Sequence, residues 1–246
     1  MLERDSRNVQ LTAAGEVLLR EGKKSLAQAR RAVQATRAAA ARRLSVGFYG
    51  SAATALLPEV LRAFEQRLAS VDVAVRELRF GSIEEILDGS VEVAFTRLLP
   101  GQTELEVEIL DEEPRVAALP ADHRLANREE LTFADLCRES FIINPAVGDD
   151  DPPTRWLSEQ RRRGLRGRVA AAATSVPEIL ALVAAGRGIC LVPTTAARDH
   201  PRADIVYRPV TDAEPAVTSL ARRRGQLTPA ADAFMATARA VASARR

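Results

Sequence analysis

The chain has 246 residues, enough for one large or two small domains around a substantial core, and its formal charge of +2 is close to neutral. Aromatic residues make up only 4%, so that core must be aliphatic. The first residues, MLERDSRNVQ, are charged, no apolar run approaches ~20 residues, and no cysteine pair or histidine cluster has metal-ligand spacing. These features point away from a secreted, membrane-spanning or metal-dependent protein and towards a cytoplasmic one.

Near-neutrality conceals an asymmetry. Residues 1–43 hold 10 basic and 4 acidic residues, net +6, and the remainder hold 25 and 29, net −4. A basic end on a slightly acidic body suggests a polyanion contact confined to that end. Cys137 and Cys190 lie far apart in apolar surroundings, where reduced thiols are expected rather than a disulfide.

Met1 to Leu11 alternates polar residues with Val9 and Leu11, which fits a short hairpin strand. Thr12 is the expected cap of a helix running to about Arg43. Leu19, Leu26, Val33 and Ala40 recur every seven residues along it, with Gly22, Ala29 and Thr36 three further on. That is a heptad seam with small d positions, and a helix of roughly 45–50 Å so placed calls for a partner helix.

Leu44 to Tyr49 reads as a strand, followed by Gly50-Ser51 and a helix to about Leu68. Pro58 either kinks that helix or marks its proper start. Val71 to Leu78 and Val91 to Phe95 are two further strands, separated by a short helix with a capping box, Ser82 and Glu85, and a closing Gly89. Glu113 to Leu119 and Val217 to Arg222 are extended segments enclosing a self-contained set of strands and helices. The chain is thus expected to leave a first lobe, build a second and return. The expected boundaries are 1–11, 12–43, 44–116 with 217–246, and 117–216. A last helix begins near Thr228-Pro229, with Phe234 and Val241 on its apolar side.

The stretch Arg168 to Thr195 reads as strand, helix, strand. Val169 to Ala173 and Ile189 to Val192 are short apolar runs. Between them Ser175 and Glu178 form a capping box, Pro177 sits in the first turn, and Gly186 or Gly188 ends the helix. Such a βαβ unit implies an α/β fold with a largely parallel sheet.

Ser51, Ser82 and Ser175 each follow a strand and precede a helix, and Asn144 and Thr194-Thr195 stand at two more strand ends. A cleft lined by helix N-termini and neutral polar groups suits a small anion. No nucleophile has a base at the required spacing. His123 and His200 are the only histidines, there is no G-x-S-x-G, and Gly186-Arg187-Gly188 follows a helix, the reverse of a dinucleotide loop. No cofactor is indicated, and Asp149 to Asp151, next to Pro152-Pro153, reads as a solvated loop rather than a cation site. An enzyme is therefore disfavoured, although Glu92 and His123 remain as conceivable acid or base groups.

Several stretches together resemble a LysR-type transcriptional regulator. LERDSRNVQLTAAGE is similar to the end of that family's winged helix-turn-helix, its wing and the start of the linker helix. RRLSVGFYGSAATALLPEVLRAFEQRL is similar to the first strand and helix of its effector domain, and LDGSVEVAFTR, VAALPADHRLA and the 168–193 stretch follow in order. Departures are Glu92, where the family usually has Asp, and the turn RFGSIEE, one residue short, with Ser82 near a position often held by Gln.

The resemblance implies two Rossmann-like lobes of the type II periplasmic-binding-protein kind behind a linker helix. It places Ser51, Thr54, Ser82, Asn144, Thr174, Ser175 and Thr194 around an interdomain effector cleft. Arg4, Ser6 and Arg7 become wing positions near DNA phosphates, and the recognition helix would precede the first residue. Expected partners are a small anionic effector, a second copy in a homodimer or tetramer, and DNA for the full-length protein. A solute-binding protein of the same two-lobe architecture is the alternative, against which the basic heptad helix and the charged N-terminus argue.

Overall fold

A computed structural model describes residues 1–4, 9–41, 43–52, 56–79, 83–101, 103–144, 168–225 and 228–245. Strands β1 (Leu2–Arg4) and β2 (Val9–Leu11) form an antiparallel hairpin with Leu2 opposite Leu11. The Thr12 hydroxyl accepts the Gly15 N–H at 3.1 Å and starts α1, Ala13–Ala41, a single helix of 29 residues. A Cβ at position 15 would lie 2.1 Å from the Met1 carbonyl oxygen, so glycine is what lets the hairpin rest on the helix's first turn. Along α1, Leu19, Leu26 and Val33 are 46%, 62% and 49% exposed, so one chain by itself leaves the heptad seam in water.

The first lobe is a five-stranded sheet of order β4-β3-β5-β12-β6. Its strands are β3 (Arg43–Phe48), β4 (Asp72–Glu77), β5 (Val93–Thr96), β6 (Leu105–Glu113) and β12 (Ala216–Arg223). β3 runs parallel to β4 and β5, whereas β12 is antiparallel to β5 and β6. Helices α2 (Leu57–Arg67) and α7 (Pro229–Ala244) cover one face. There Phe234 meets Phe64 and Phe95 edge to face, at centroid separations of 5.2 and 6.2 Å, inside a cluster with Leu44, Val46, Val60 and Leu220. All three rings are fully buried, where their large apolar area counts most.

Pro58 lies in the first turn of α2, so it marks a helix start, and Gly50–Ala52 is a separate 3-10 turn. The short helix α3 (Glu84–Leu87) has Ile83 at its N-cap, and Ser82 of the expected capping box lies outside the described residues. Ile83 packs on the cluster of Tyr49, Ile86 and Leu105.

The second lobe centres on β7 (Arg115–Pro120), antiparallel to β10 (Cys190–Pro193) on one side and β11 (Ile205–Pro209) on the other. Strands β8 (Ser140–Ile143) and β9 (Arg168–Ala172) pair in parallel, and a parallel bridge from Phe141 to Ile189 joins them to the β10 side. Gly188 enters this junction with φ +155, and a Cβ there would meet the Ser140 carbonyl oxygen at 2.6 Å. Helix α4 (Phe133–Leu136) precedes β8; α5 (Val176–Ala184) connects β9 to β10; α6 (Thr194–Asp199) follows β10.

The expected crossover of β9, helix and β10 is present, with β8 between the two strands. The sheets are mixed rather than largely parallel. β7 and β12, which lie next to the two crossings between lobes, run against their neighbours. Among the described residues no helix is long and apolar enough to cross a membrane. Both cysteines are free thiols.

Candidate functional site

Strand direction decides where the polar turns meet. In the first lobe β3, β4 and β5 are parallel, so the residues after each of them share one edge of the sheet: Gly50-Ser51 after β3, and Arg97 after β5. In the second lobe β9, β8 and β10 point the same way, which gathers Thr174-Ser175, Asn144 and Thr194-Thr195 on one edge. The Ala173 N–H bonds to the Ile143 carbonyl at 3.0 Å, holding Asn144 and Thr174 on neighbouring strand ends. Helix α6 packs against the Gly50–Ala52 turn of the first lobe, so the two edges face each other. This is the crevice at strand carboxyl ends where ligands of open α/β sheets collect.

The Thr174-Ser175 turn is built from local groups. The Ser175 hydroxyl accepts the Glu178 N–H at 3.3 Å, as its spacing indicates. The Glu178 carboxylate accepts the N–H of Thr174 at 2.9 Å rather than that of Ser175. All three residues are exposed.

The Thr194-Thr195 turn is built from distant ones. Glu113, the last residue of β6, accepts from Arg97 Nη2 at 2.9 Å and the Thr195 hydroxyl at 2.9 Å on one oxygen. Its other oxygen accepts from the Thr194 hydroxyl at 2.9 Å and the Thr195 N–H at 2.7 Å. The Thr194 N–H goes to the Pro114 carbonyl at 3.1 Å. Arg97 also donates to the Val217 carbonyl at 3.1 Å. Its side chain is 9% exposed and that of Glu113 13%. Burial lowers the Arg97 pKa and the Glu113 carboxylate opposes that shift. One carboxylate therefore ties the end of β5, the outgoing and returning crossing strands and the first turn of α6 into a single network.

Of the residues expected at a cleft, Asn144, Thr174, Ser175 and Thr194 lie on this second-lobe edge, and the Ser51 backbone lies on the facing turn. Thr54 and Ser82, and also Asp149 to Asp151, lie outside the described residues. Arg4 belongs to β1, paired with Val9, while Ser6 and Arg7 are outside the described residues. Arg97 and Glu113 were not among the expected residues. The available signal was a charged Arg97 directly after a buried strand and an acidic residue at the crossing, but nothing in the spacing links the two.

The two groups considered as acid or base are engaged in packing. Glu92, 7% exposed, accepts from the Ser45 N–H and the Thr228 hydroxyl, both at 3.1 Å, and so joins β3 to the N-cap of α7. His123 Nε2 lies 3.2 Å from Glu139, which also binds Arg124. A depression on the outer face of the first lobe is lined by Glu106, Glu108, Arg222, Asp232 and Arg239. Arg222 pairs with Glu106 and Asp232, and Arg239 with Glu108, so each of its charged groups is engaged in an ion pair. Among the described residues no group of three or more His, Cys, Asp or Glu side chains forms a metal site.

Two apposed lobes, crossed twice by the chain and meeting at their strand carboxyl ends, define a two-lobed ligand-binding fold. The chain matches the LysR substrate binding domain over residues 37–243. It is 31% identical over 243 residues to the Hca operon transcriptional activator HcaR of Escherichia coli, covering 96% of this chain and 81% of that one. It is 31% identical over 215 residues to the HTH-type transcriptional regulator AlsR of Bacillus subtilis, covering 85% and 70%. The chain belongs to the LysR family of transcriptional regulators.

Solved structures carry the same fold. The effector binding domain of QuiR in complex with shikimate superposes with TM-score 0.71 at 15% identity, covering 82% of this chain and 97% of that one. The BenM effector binding domain with its effector benzoate gives 0.66 at 22%, covering 82% and 93%. Full-length CbnR complexed with its target DNA gives 0.64 at 25%, covering 98% and 83%.

Proposed function

We propose that this chain senses a small carboxylate in the cleft between its lobes and passes the resulting change through α1 to DNA-binding segments at its N-terminal end. The observation that carries this reading is the gathering of Thr174-Ser175, Asn144 and Thr194-Thr195 on one edge facing the Gly50–Ala52 turn. Benzoate and shikimate, the ligands of the BenM and QuiR domains, are both carboxylates. Ser51, Thr54, Ser82, Asn144, Thr174, Ser175 and Thr194 are assigned to the effector, within lobes bounded at 44–116 with 217–246 and at 117–216. The protein acts in the cytoplasm and is not an enzyme; the regulator relatives and the structural engagement of Glu92 and His123 support this.

The exposed Leu19, Leu26 and Val33 of α1 pair with a second copy, giving a homodimer or tetramer. Arg4, Ser6 and Arg7 contact DNA phosphates, which position a protein without reading bases. Effector binding shifts the population of lobe arrangements in proportion to its differential affinity for them.

A thermal-shift panel of small carboxylates tests the sensing step. A true ligand at about 100 times its dissociation constant adds ~2.7 kcal/mol of stability and raises the melting temperature. A broad panel that leaves the transition unmoved, while apolar compounds move it, rejects the carboxylate reading. A gel shift with the 246-residue chain tests the DNA part. Weak, salt-sensitive binding is expected, and tight sequence-specific binding would overturn a role limited to phosphate contacts.

A further inference from the structure

Glu113 fixes the direction of the hydrogen bonds at one end of the cleft. A carboxylate offers about four acceptor positions, and here they are filled by Arg97, two hydroxyls and one N–H. A carboxylate paired with a guanidinium has no proton to give, so Thr194 and Thr195 are the donors. The Thr195 oxygen also receives Arg97 Nη2 at 3.4 Å. The Thr194 oxygen has only its bond to Glu113 among the described residues, and the Thr194 N–H is bonded to the Pro114 carbonyl. What Thr194 presents to the cleft is therefore a lone pair.

Resting on the effector reading above, we propose that the effector is a small carboxylic acid with a second polar group bearing a hydrogen, a hydroxyl or an amine, which donates to Thr194, and that Glu113 sets this specificity. A ligand carboxylate placed against Thr194 would meet a lone pair beside a second carboxylate. A plain hydrocarbon acid would leave that lone pair without a partner. The ligand carboxylate is directed instead to the far side of the edge, around Asn144 and Ser175, whose hydroxyl accepts the Glu178 N–H and keeps its own hydrogen for the ligand. Sites built around an oriented polar group discriminate against analogues that lack its partner far more than apolar pockets discriminate by size.

Isothermal titration calorimetry on the 246-residue chain with matched acids is the test: benzoate against its three monohydroxy isomers, and cyclohexanecarboxylate against shikimate. In each set at least one hydroxylated acid is expected to bind about tenfold tighter or more. Thr194→Val should bring that ratio close to one and Thr194→Ser should keep it. Glu113→Gln, whose amide can donate and so frees the Thr194 proton to turn outward, should also reduce it. The Thr194 variants alter no charge, so they decide the matter if the Glu113 variant fails to fold. Equal affinities within each set, or a preference that survives Thr194→Val, overturns this inference and leaves the effector site standing. No binding by any acid overturns both.

Discussion

Two turns of the second lobe look alike in the sequence and are held in opposite ways. Each places hydroxyl residues between a buried strand and a helix, Thr174-Ser175 before α5 and Thr194-Thr195 before α6. At the first, the carboxylate that satisfies the free N–H comes from Glu178, four residues from Thr174 and exposed. At the second it comes from Glu113, 82 positions from Thr195, 13% exposed and paired with Arg97. The local turn is held by side-chain bonds to the first turn of its own helix. The distant one forms only when both lobes and both crossings are in place, so it reports on the arrangement of the whole effector domain. The difference separates a capping device from a connection between lobes.

The connection should be the costlier to break. Glu113→Ala leaves Arg97 buried without its charge partner and strips four hydrogen bonds, and a loss of ~3–5 kcal/mol is expected. Urea denaturation followed by circular dichroism measures it; a loss below about 1 kcal/mol would mean the network is no stronger than a surface pair. Thr195→Val removes the hydroxyl but keeps the N–H bond to Glu113, and should cost about 1 kcal/mol. In a double-mutant cycle it should couple strongly to Glu113→Ala.

Ser175→Ala should cost about 1 kcal/mol through loss of the α5 cap. Its effect should add to that of Glu113→Ala within ~0.5 kcal/mol, since the two turns share no partner among the described residues. A large coupling would show instead that the turns act as one unit.

The smallest effect concerns a third, purely local cap. At α4 the N–H and then the hydroxyl of Thr132 hold the Asp135 carboxyl below the usual aspartate range. With the folded value depressed relative to ~3.9 in the unfolded chain, the contribution of this cap is complete above that pH. It is lost as the pH falls through the folded value. An NMR titration of the Asp135 carboxyl should therefore show a midpoint under 3.9, returning towards it in Thr132→Ala.

Much of the molecule was legible before any coordinates because its signals are short-range. The hairpin with Thr12 and the long helix after it, the cap at Ser175 and the start of α7 at Thr228 follow from neighbours within four residues or from heptad spacing. The order and spacing of LDGSVEVAFTR, VAALPADHRLA and the 168–193 stretch pointed to the family, which the match over residues 37–243 bears out. Short-range reasoning failed for the sheets, read as largely parallel from the β9–α5–β10 unit, because one crossover does not reveal which way the strands outside it run.

The sequence by itself determined the hairpin, the long helix with its heptad seam, the cap at Ser175 and the family, since each rests on patterns and order along the chain. Tertiary structure alone decided that Arg97, Glu113, Thr194 and Val217 meet, because the chain must cross between lobes twice before they come into contact. Only that meeting turns the two hydroxyl protons towards Glu113.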